Sequence, residues 1–271
     1  MVFGGFSDME FPGGGVFSVC SRLREEPGVR HCFTTRLGGV SGGCFSSMNL
    51  SFGRGDEDRA VCENYKRLTR AAGFSENGFA FTHQIHGTLV RRVSASDLAS
   101  PGPALSVPDC DAIFTAEPGV PLVGKTADCV PILLYCPRPR LCAFAHAGWR
   151  GTAANIVFET VNALAEAGAD PADMIAAVGP SISSCCFLTH GDVTDALRAL
   201  PRKATENAVV PCADGRFSVD LKRINASLLK LCGVKEIFVS TECTCCLDKK
   251  YFSHRRNGAS RGSMATVIEL V

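Results

Sequence analysis

Two apolar runs, VPILLY at residues 130–135 and LCAFA at residues 141–145, constrain the fold of this chain most. Each run is apolar throughout instead of alternating apolar and polar residues, which predicts strands covered on both faces. Helical periodicity predicts helices over residues 56–72, 152–167 and 219–232. Further β-type runs lie at residues 30–35, 79–82, 88–93, 112–115, 175–178, 236–239 and 265–270. We therefore expect an α/β fold, a single layered domain of mixed β-sheet and helices that spans residues 1–271, with only short loops such as residues 99–108.

The composition favours a small-molecule partner. Hydrophobic residues make up 46% of the chain, charged residues make up 20%, and the formal net charge is +1. This balance gives no electrostatic reason to bind nucleic acid or a membrane. The chain has fifteen cysteines, an odd number, and its first residues lack the basic and apolar segments of a secretory signal. We expect a cytoplasmic protein whose thiols stay reduced, and the sequence leaves its oligomeric state open.

The segment CAFAHAGWRGT, residues 142–152, predicts a ligand site between a strand and a helix. Its apolar half continues the buried run, so residues 146–151 are expected to form the turn that follows. In α/β folds ligands bind at such turns, beyond the carboxyl ends of strands. His146 and Arg150 are the candidate functional side chains, and Arg150 offers a fork for an anion. The alternative is that His146 is a hydrogen-bonded core histidine and that Trp149 is ordinary packing.

Two other segments supply side chains of matching chemistry. Cys129 follows Asp128 at the entry to the run at residues 130–135, and THQIHG carries His83 and His86. An offset of three in a strand or irregular segment directs these imidazoles to opposite sides, so only one of them is expected to reach a given site. Two histidines and one cysteine form a suitable zinc site with an open fourth position. Asp128 is the candidate carboxylate for proton transfer, with capping of the turn as the alternative.

Several motifs carry weaker signals. GVPLVGKT, residues 119–126, satisfies the literal P-loop pattern, but Pro131 follows within a β-type run, so no helix is expected to begin there. CTCC, residues 243–246, has no matching second pair at zinc-finger distance, and Cys185-Cys186 is similarly isolated. His254 is expected either to line a pocket or to pack in the core.

Seven motifs resemble those of the YfiH family, which is also called the laccase-domain or polyphenol-oxidase family and whose members are described as purine nucleoside phosphorylases. In chain order they are FTTRLGGVS at 33–41, SMNLSFGRGD at 47–56, QIHG at 84–87, TADCVPILL at 126–134, HAGWRGT at 146–152, GPSIS at 179–183 and YFSHRR at 251–256. The resemblance covers nearly the whole chain. It implies a fold related to the cysteine hydrolase fold of cytotoxic necrotizing factor toxins. It also implies a zinc-capable catalytic site at His86, Cys129 and His146, whose donors also suit copper.

The resemblance further implies phosphorolysis of adenosine, inosine, guanosine and S-methyl-5'-thioadenosine, together with deamination of adenosine. Arg36, Arg150 and Arg255 are the candidates for binding phosphate, and Asn49 completes the candidate substrate-binding set. The chain departs from the family pattern at Leu188 and over residues 257–264.

Two alternatives come from the same resemblance. The first is a copper-dependent polyphenol oxidase, or laccase. The chain has six histidines and no His-x-His pair, so multicopper chemistry is disfavoured. The second is an amidase-type hydrolase that edits peptidoglycan precursors at a Cys/His site.

Overall fold

The computed structural model describes residues 1–102 and 107–271, so residues 103–106 of the predicted loop at 99–108 lie outside the described ranges. The strands are β1 (Val2–Phe3), β2 (Phe6–Phe11), β3 (Gly15–Cys20), β4 (Val29–Thr34), β5 (Ala80–Phe81), β6 (Val90–Arg92), β7 (Ala112–Thr115), β8 (Leu122–Thr126), β9 (Val130–Pro137), β10 (Arg140–Ala147), β11 (Ile175–Val178), β12 (Leu188–Thr189), β13 (Val209–Pro211), β14 (Phe217–Val219), β15 (Glu236–Val239) and β16 (Met264–Leu270). The α-helices are α1 (Ser21–Arg24), α2 (Asp58–Ala72), α3 (Trp149–Ala153), α4 (Ile156–Glu166), α5 (Gly191–Leu197), α6 (Arg202–Thr205), α7 (Leu221–Leu231) and α8 (His254–Asn257). Within the described ranges, no helix has the length and apolar character needed to cross a membrane.

Two sheets, each with both parallel and antiparallel strand pairs, pack face to face. A seven-stranded sheet has the order β1-β15-β11-β9-β10-β7-β6, and a six-stranded sheet has the order β2-β3-β4-β16-β8-β5. Leu133 and Phe144 of the first sheet share a buried cluster with Leu122 and Ile268 of the second. The opposite face of the first sheet packs on α4 and α7, and the opposite face of the second packs on α2. The result is four layers, helix, sheet, sheet and helix, with the small sheet β12-β14-β13 beside them.

This layering explains why the central strands are apolar on both faces. In β9, Ile132 and Leu134 belong to the cluster under the helices, whereas Leu133 and Tyr135 belong to the cluster between the sheets. A strand buried on both sides has no solvent-facing positions, so its sequence does not alternate. The prediction of a mixed α/β fold is confirmed.

Some predicted elements need correction. The helix predicted over residues 152–167 is two helices, α3 and α4, because Asn155 adopts a left-handed φ of 65° and caps α4 by accepting from the Phe158 amide at 3.4 Å. Helix α2 begins at Asp58 rather than at residue 56, and Gly73 ends it with a φ of 71°. The P-loop-like segment forms β8, with no helix after it, as predicted. The hairpin β2–β3 was not predicted.

Candidate active site

The pairing of β9 with β10 brings Cys129 and His146 together. Cys129 directly precedes β9, and His146 lies near the end of the antiparallel β10, opposite Pro131. His86 reaches them from the segment between β5 and β6, where its φ is 63°. Ligand atoms of the three side chains lie within 4.8 Å of one another, and the centroids of the two imidazole rings are 4.9 Å apart. The three candidates therefore form one cluster, although His146 lies in a strand rather than in the predicted turn.

Asp111 fixes both imidazole-bearing segments. Its buried carboxylate lies 2.8 Å from Nδ1 of His146 and accepts hydrogen bonds from the backbone amides of His86 at 3.0 Å and Gly87 at 2.7 Å. Burial opposes ionisation of this carboxyl group, but the His146 ring and the Gly87 amide outweigh burial and lower its pKa. A carboxylate bound to Nδ1 orients the ring and leaves Nε2 for a ligand or a proton.

Sequence reasoning missed Asp111. It precedes β7, and only the antiparallel register of β7 with β10 places it opposite His146, whose amide donates to the Asp111 carbonyl at 2.8 Å. The signal in the sequence is an acidic residue at the entry to a strand that is otherwise apolar. Such a residue must find a partner or leave the core.

Cys129 and His146 shift each other's pKa. Burial raises the pKa of the Cys129 thiol, but the His146 and His86 imidazoles outweigh burial and bring it to about 6. Burial also opposes the charged form of His146, while Cys129 and Asp111 raise its pKa to about 9. Between these values, and without a metal, the pair is a thiolate and an imidazolium. The thiolate is the form of cysteine that binds metals and attacks electrophiles.

His83 does not join the cluster. Its Nδ1 lies 2.5 Å from Oδ1 of Asp109, and 44% of its side chain is exposed. The offset of three residues therefore separates the two imidazoles, as predicted, and His86 is the one that faces Cys129.

The Asp128 carboxylate joins distant segments of the chain. It accepts hydrogen bonds from the hydroxyls of Thr244 at 2.7 Å and Ser253 at 2.9 Å, and from the Arg255 amide at 2.6 Å. Both oxygens thus hold the segment that leads into α8. Proton transfer by this carboxylate stays a prediction.

Two cavities meet at the His86–Cys129–His146 cluster. The first has a volume of about 510 Å³ and is lined by all three cluster residues. The second has a volume of about 430 Å³ and includes His86 and Cys129 in its wall. Trp149, Ile182, Phe187 and Leu221 give the second cavity an aromatic and apolar wall. The cluster is therefore accessible from two sides.

Three cations that sequence reasoning missed line the first cavity: Arg54, Lys125 and Arg261. Burial first and the charge of Arg54 second lower the pKa of Lys125, and the same two causes lower the pKa of Arg261 to about 10. Arg261 is buried, and its Nε has no hydrogen-bond partner among the described residues. These cations repel one another, and Arg261 has an unused hydrogen-bond donor. Such an arrangement is suited to binding an anionic ligand.

Two residues of the predicted substrate- and phosphate-binding set, Arg36 and Asn49, make other contacts. Arg36 donates to the carbonyls of Ser46 at 2.8 Å and Asp248 at 3.1 Å, and its guanidinium lies over the ring of Phe252. Asn49 is buried and accepts from the Ser263 amide at 3.0 Å. Neither residue lines the two cavities at the cluster, because both are used to join loops.

Arg150 and Arg255 do line the second cavity, and so does His254. The Arg150 guanidinium lies 4.2 Å above the Trp149 ring centre. Arg255 donates from Nη1 to the carbonyl of Leu188 at 2.8 Å. These two arginines therefore border the cavity while making contacts of their own.

The donor set fits a metal ion. Two imidazoles and a thiolate are common zinc ligands, and bonds of about 2.0–2.3 Å require ligand atoms roughly 3–4 Å apart. The three ligand atoms here lie within 4.8 Å of one another, close enough to be directed at one ion. The same donors also suit copper. Three protein ligands leave a further coordination position open.

A family sequence model described as multi-copper polyphenol oxidoreductase laccase matches residues 30–271. The chain belongs to this family. Among laccase-family relatives, the purine nucleoside phosphorylase of Deinococcus radiodurans is 39% identical over 242 residues, which cover 89% of each chain. The purine nucleoside phosphorylase YfiH of Escherichia coli is 35% identical over 245 residues, which cover 90% of this chain and 95% of the relative.

A similar solved structure confirms the fold. The crystal structure of YlmD from Geobacillus stearothermophilus superposes with a TM-score of 0.89 at 33% identity and covers 96% of this chain and 98% of its own. The family membership expected from the seven motifs is confirmed.

Proposed function

We propose that this chain is a purine nucleoside phosphorylase that cleaves adenosine, inosine, guanosine and S-methyl-5'-thioadenosine with phosphate at the His86–Cys129–His146 cluster. Relatives that carry this name support the reaction class. The observation that carries the proposal is the meeting of two cavities at His86 and Cys129. Arg54 and Arg261 border both cavities and Lys125 borders the first, while Trp149 and Phe187 supply ring surfaces in the second. A reaction between an anion and a nucleoside needs both environments at one point.

Phosphate is assigned to the first cavity. Lys125 and Arg261 have lowered pKa values because they are buried near another cation, and a bound anion would relieve both costs. The unpaired Nε of Arg261 adds a donor for a phosphate oxygen. The purine is assigned to the second cavity, where Trp149 and Phe187 offer ring faces and edges for stacking.

Residues of the cluster orient the reacting groups and hold a proton. A zinc or copper ion held by His86, Cys129 and His146 would supply a Lewis acid that polarises an oxygen or nitrogen atom of a ligand. Asp111 keeps Nε2 of His146 directed at the cluster, and it holds the His86 backbone. In the metal-free chain, the imidazolium of His146 stores the proton that Cys129 releases.

The test is release of free hypoxanthine from inosine with and without phosphate. We expect release only with phosphate, together with formation of ribose 1-phosphate, and we expect Cys129→Ser to abolish it. Equal release without phosphate would instead identify a hydrolase. Oxygen uptake with a phenol by the copper-loaded protein, without hypoxanthine release, would identify an oxidase.

A charge-removal series tests the assignment of phosphate. A hydrogen bond to a charged group contributes about 1.5–3 kcal/mol, so Lys125→Gln and Arg54→Gln should each raise the KM for phosphate by about tenfold or more. The KM for inosine should change much less in Lys125→Gln, because Lys125 borders only the first of these two cavities, whereas Arg54 borders both. The matched control is Arg59→Gln on α2, which removes an exposed cation outside both cavities. An unchanged KM for phosphate in both variants would reject this cavity as the phosphate site.

Deamination of adenosine is proposed for the same cluster. Zinc-dependent deaminases use comparable histidine and cysteine ligands to activate water. If one site performs both reactions, Cys129→Ser abolishes inosine formation from adenosine together with phosphorolysis. Loss of only one activity would show that the two reactions use separate sites.

Three broader predictions remain proposals. The cluster shared by the two sheets supports treating residues 1–271 as a single domain. The resemblance alone supports kinship with the cysteine hydrolase fold of cytotoxic necrotizing factor toxins. Fifteen free cysteines support a reducing, cytoplasmic location.

A further inference from the structure

Four cysteines outside the candidate active site lie together at one edge of the seven-stranded sheet. Cys185 and Cys186 follow β11, and Cys243 and Cys246 follow β15. These strands are parallel neighbours, so their carboxyl ends meet at the same edge, and an isolated bridge pairs Ser181 with Cys243. The fold thus supplies the CTCC motif with the second cysteine pair that was not evident in the sequence.

The sulfur atoms have the spacing of a shared ligand rather than of bonded pairs. Sγ of Cys246 lies 3.6 Å from that of Cys185 and 3.3 Å from that of Cys186, and those two are 3.8 Å apart. All four sulfurs, including that of Cys243, lie within 4.8 Å of one another. A disulfide needs about 2.05 Å. Tetrahedral coordination with zinc–sulfur bonds of about 2.3 Å places sulfurs about 3.8 Å apart.

We propose that Cys185, Cys186, Cys243 and Cys246 bind one zinc ion as a structural tetrathiolate site. Soft thiolate donors select zinc over hard cations, and four protein ligands leave no position for a substrate. The site shares no residue with the His86–Cys129–His146 cluster. It does not depend on the proposed phosphorylase activity.

Backbone amides around Cys243 support a bound cation. The Ser183 amide donates to Sγ of Cys243 at 3.3 Å. An amide donor at a cysteine sulfur favours the thiolate, which is the form that binds a metal ion.

The location explains what the ion would do. Cys185 and Cys186 belong to the segment that also carries Ile182 and Phe187 of the second cavity. Cys243 and Cys246 precede the segment that carries Arg255, whose Nη1 donates to the Cys186 carbonyl at 3.0 Å. An ion that joins these two segments would fix two walls of the cavity in which the purine is placed. Cys185 and Cys246 are exposed, which gives the ion an entry path.

The experiment separates this ion from any metal at the active site. We would purify the His86→Ala/Cys129→Ser variant under anaerobic conditions with added zinc and measure bound zinc by mass spectrometry. One equivalent per chain is expected. Adding Cys185→Ser and Cys246→Ser should remove it, whereas the matched pair Cys44→Ser and Cys212→Ser, which lies outside the four-cysteine group, should retain it.

The variant with all four substitutions, at His86, Cys129, Cys185 and Cys246, could fail to fold. X-ray absorption at the zinc edge of the His86→Ala/Cys129→Ser protein keeps the test decisive in that case. The His86→Ala/Cys129→Ser protein should show only sulfur neighbours, at about 2.3 Å. A folded protein without zinc, or a shell with nitrogen or oxygen neighbours, would overturn the proposal. So would a disulfide within the group, found by peptide mapping without reduction.

Discussion

The carboxylate of Asp111 contacts both of the segments that carry the imidazoles. It binds Nδ1 of His146 on one side and three successive amides, from Ile85 to Gly87, on the other. The second contact explains how His86 keeps a positive φ, which a non-glycine residue rarely adopts without support. The Asp111 side chain thus positions both candidate metal-binding histidines, His86 and His146.

Asp111→Asn should lower the activity and the metal affinity of the cluster by about 10–100-fold, as loss of outer-shell partners does at metal sites. The amide has one acceptor oxygen where the carboxylate has two, so it cannot satisfy both segments. Phosphorolysis rates and zinc titration measure the effect. The matched control is Asp109→Asn, an exposed acid that pairs with His83, and it should leave both quantities nearly unchanged. Equal effects of the two substitutions would contradict this role of Asp111.

The pH dependence of alkylation tests the thiolate of Cys129. With a pKa near 6, the metal-free protein should react with iodoacetamide at Cys129 at a nearly constant rate above neutral pH. The rate should fall as the pH falls through about 6, because the thiolate then gains a proton. Mass spectrometry of the Cys129 peptide measures it.

His146→Gln provides the comparison for the alkylation profile. Removal of the imidazolium leaves burial as the dominant influence on Cys129, so the midpoint should move to higher pH. A midpoint that stays near 6 in this variant would show that His146 is not the cause of the shift.

At the scale of elements, the uninterrupted apolar runs predicted the central strands β9 and β10, whereas β2, β3 and β8 were missed. β9 and β10 were visible because residues 130–135 and 141–145 within them are apolar throughout. β2 of the hairpin β2–β3 is partly exposed, and its mixed pattern resembles that of a loop. β8 was hidden because LVGKT matches a phosphate-binding loop, although Lys125 does border the cationic cavity.

The candidate site divides in the same way. His86, Cys129 and His146 lie in motifs that are distinctive over a few residues, so the sequence identifies them. The partners Asp111 and Arg261 come from distant segments, and only sheet register and loop packing bring them to the site. The number of arginines in a sequence does not show which of them lacks a partner after folding, so Arg36 was preferred to Arg261.

Asn155 separates α3 from α4, and its substitution tests that break. Asn155→Ala should lower the free energy of unfolding by about 1–3 kcal/mol, because alanine disfavours a positive φ and cannot cap the Phe158 amide. Asn155→Gly should cost less, since glycine adopts this φ without strain. Urea titration measures both. The control is Asn162→Ala, an exposed site on the same α4, and a loss there as large as at Asn155 would contradict the explanation.

At the scale of the whole molecule, the spacing of the two sheets depends on a glycine facing a ring. Gly124 in β8 lies under Phe144 of β10, and a Cβ at position 124 would overlap that ring. Gly179 and Phe33 repeat the arrangement near another edge. A phenylalanine ring from one sheet therefore fills the space where a glycine of the other sheet has no side chain. The two sheets can pack closely with no void between them.

Gly124→Ala should lower the free energy of unfolding by about 1–3 kcal/mol, the usual cost of overpacking. Phe144→Leu should relieve part of this loss, so the double variant should be more stable than the sum of the single effects predicts. Gly42→Ala is the control, because a Cβ there meets nothing within 4 Å. Strict additivity of the two substitutions would show that the ring does not limit the sheet spacing.

The position of β16 has a consequence for how the chain is made. This strand pairs with β4 on one side and β8 on the other, and both leave the ribosome well over a hundred residues earlier. Until synthesis reaches residues 264–270, the two older strands expose unpaired edges. Newly made chains are therefore open to aggregation during that interval, and the six-stranded sheet cannot close until residues 264–270 have been made.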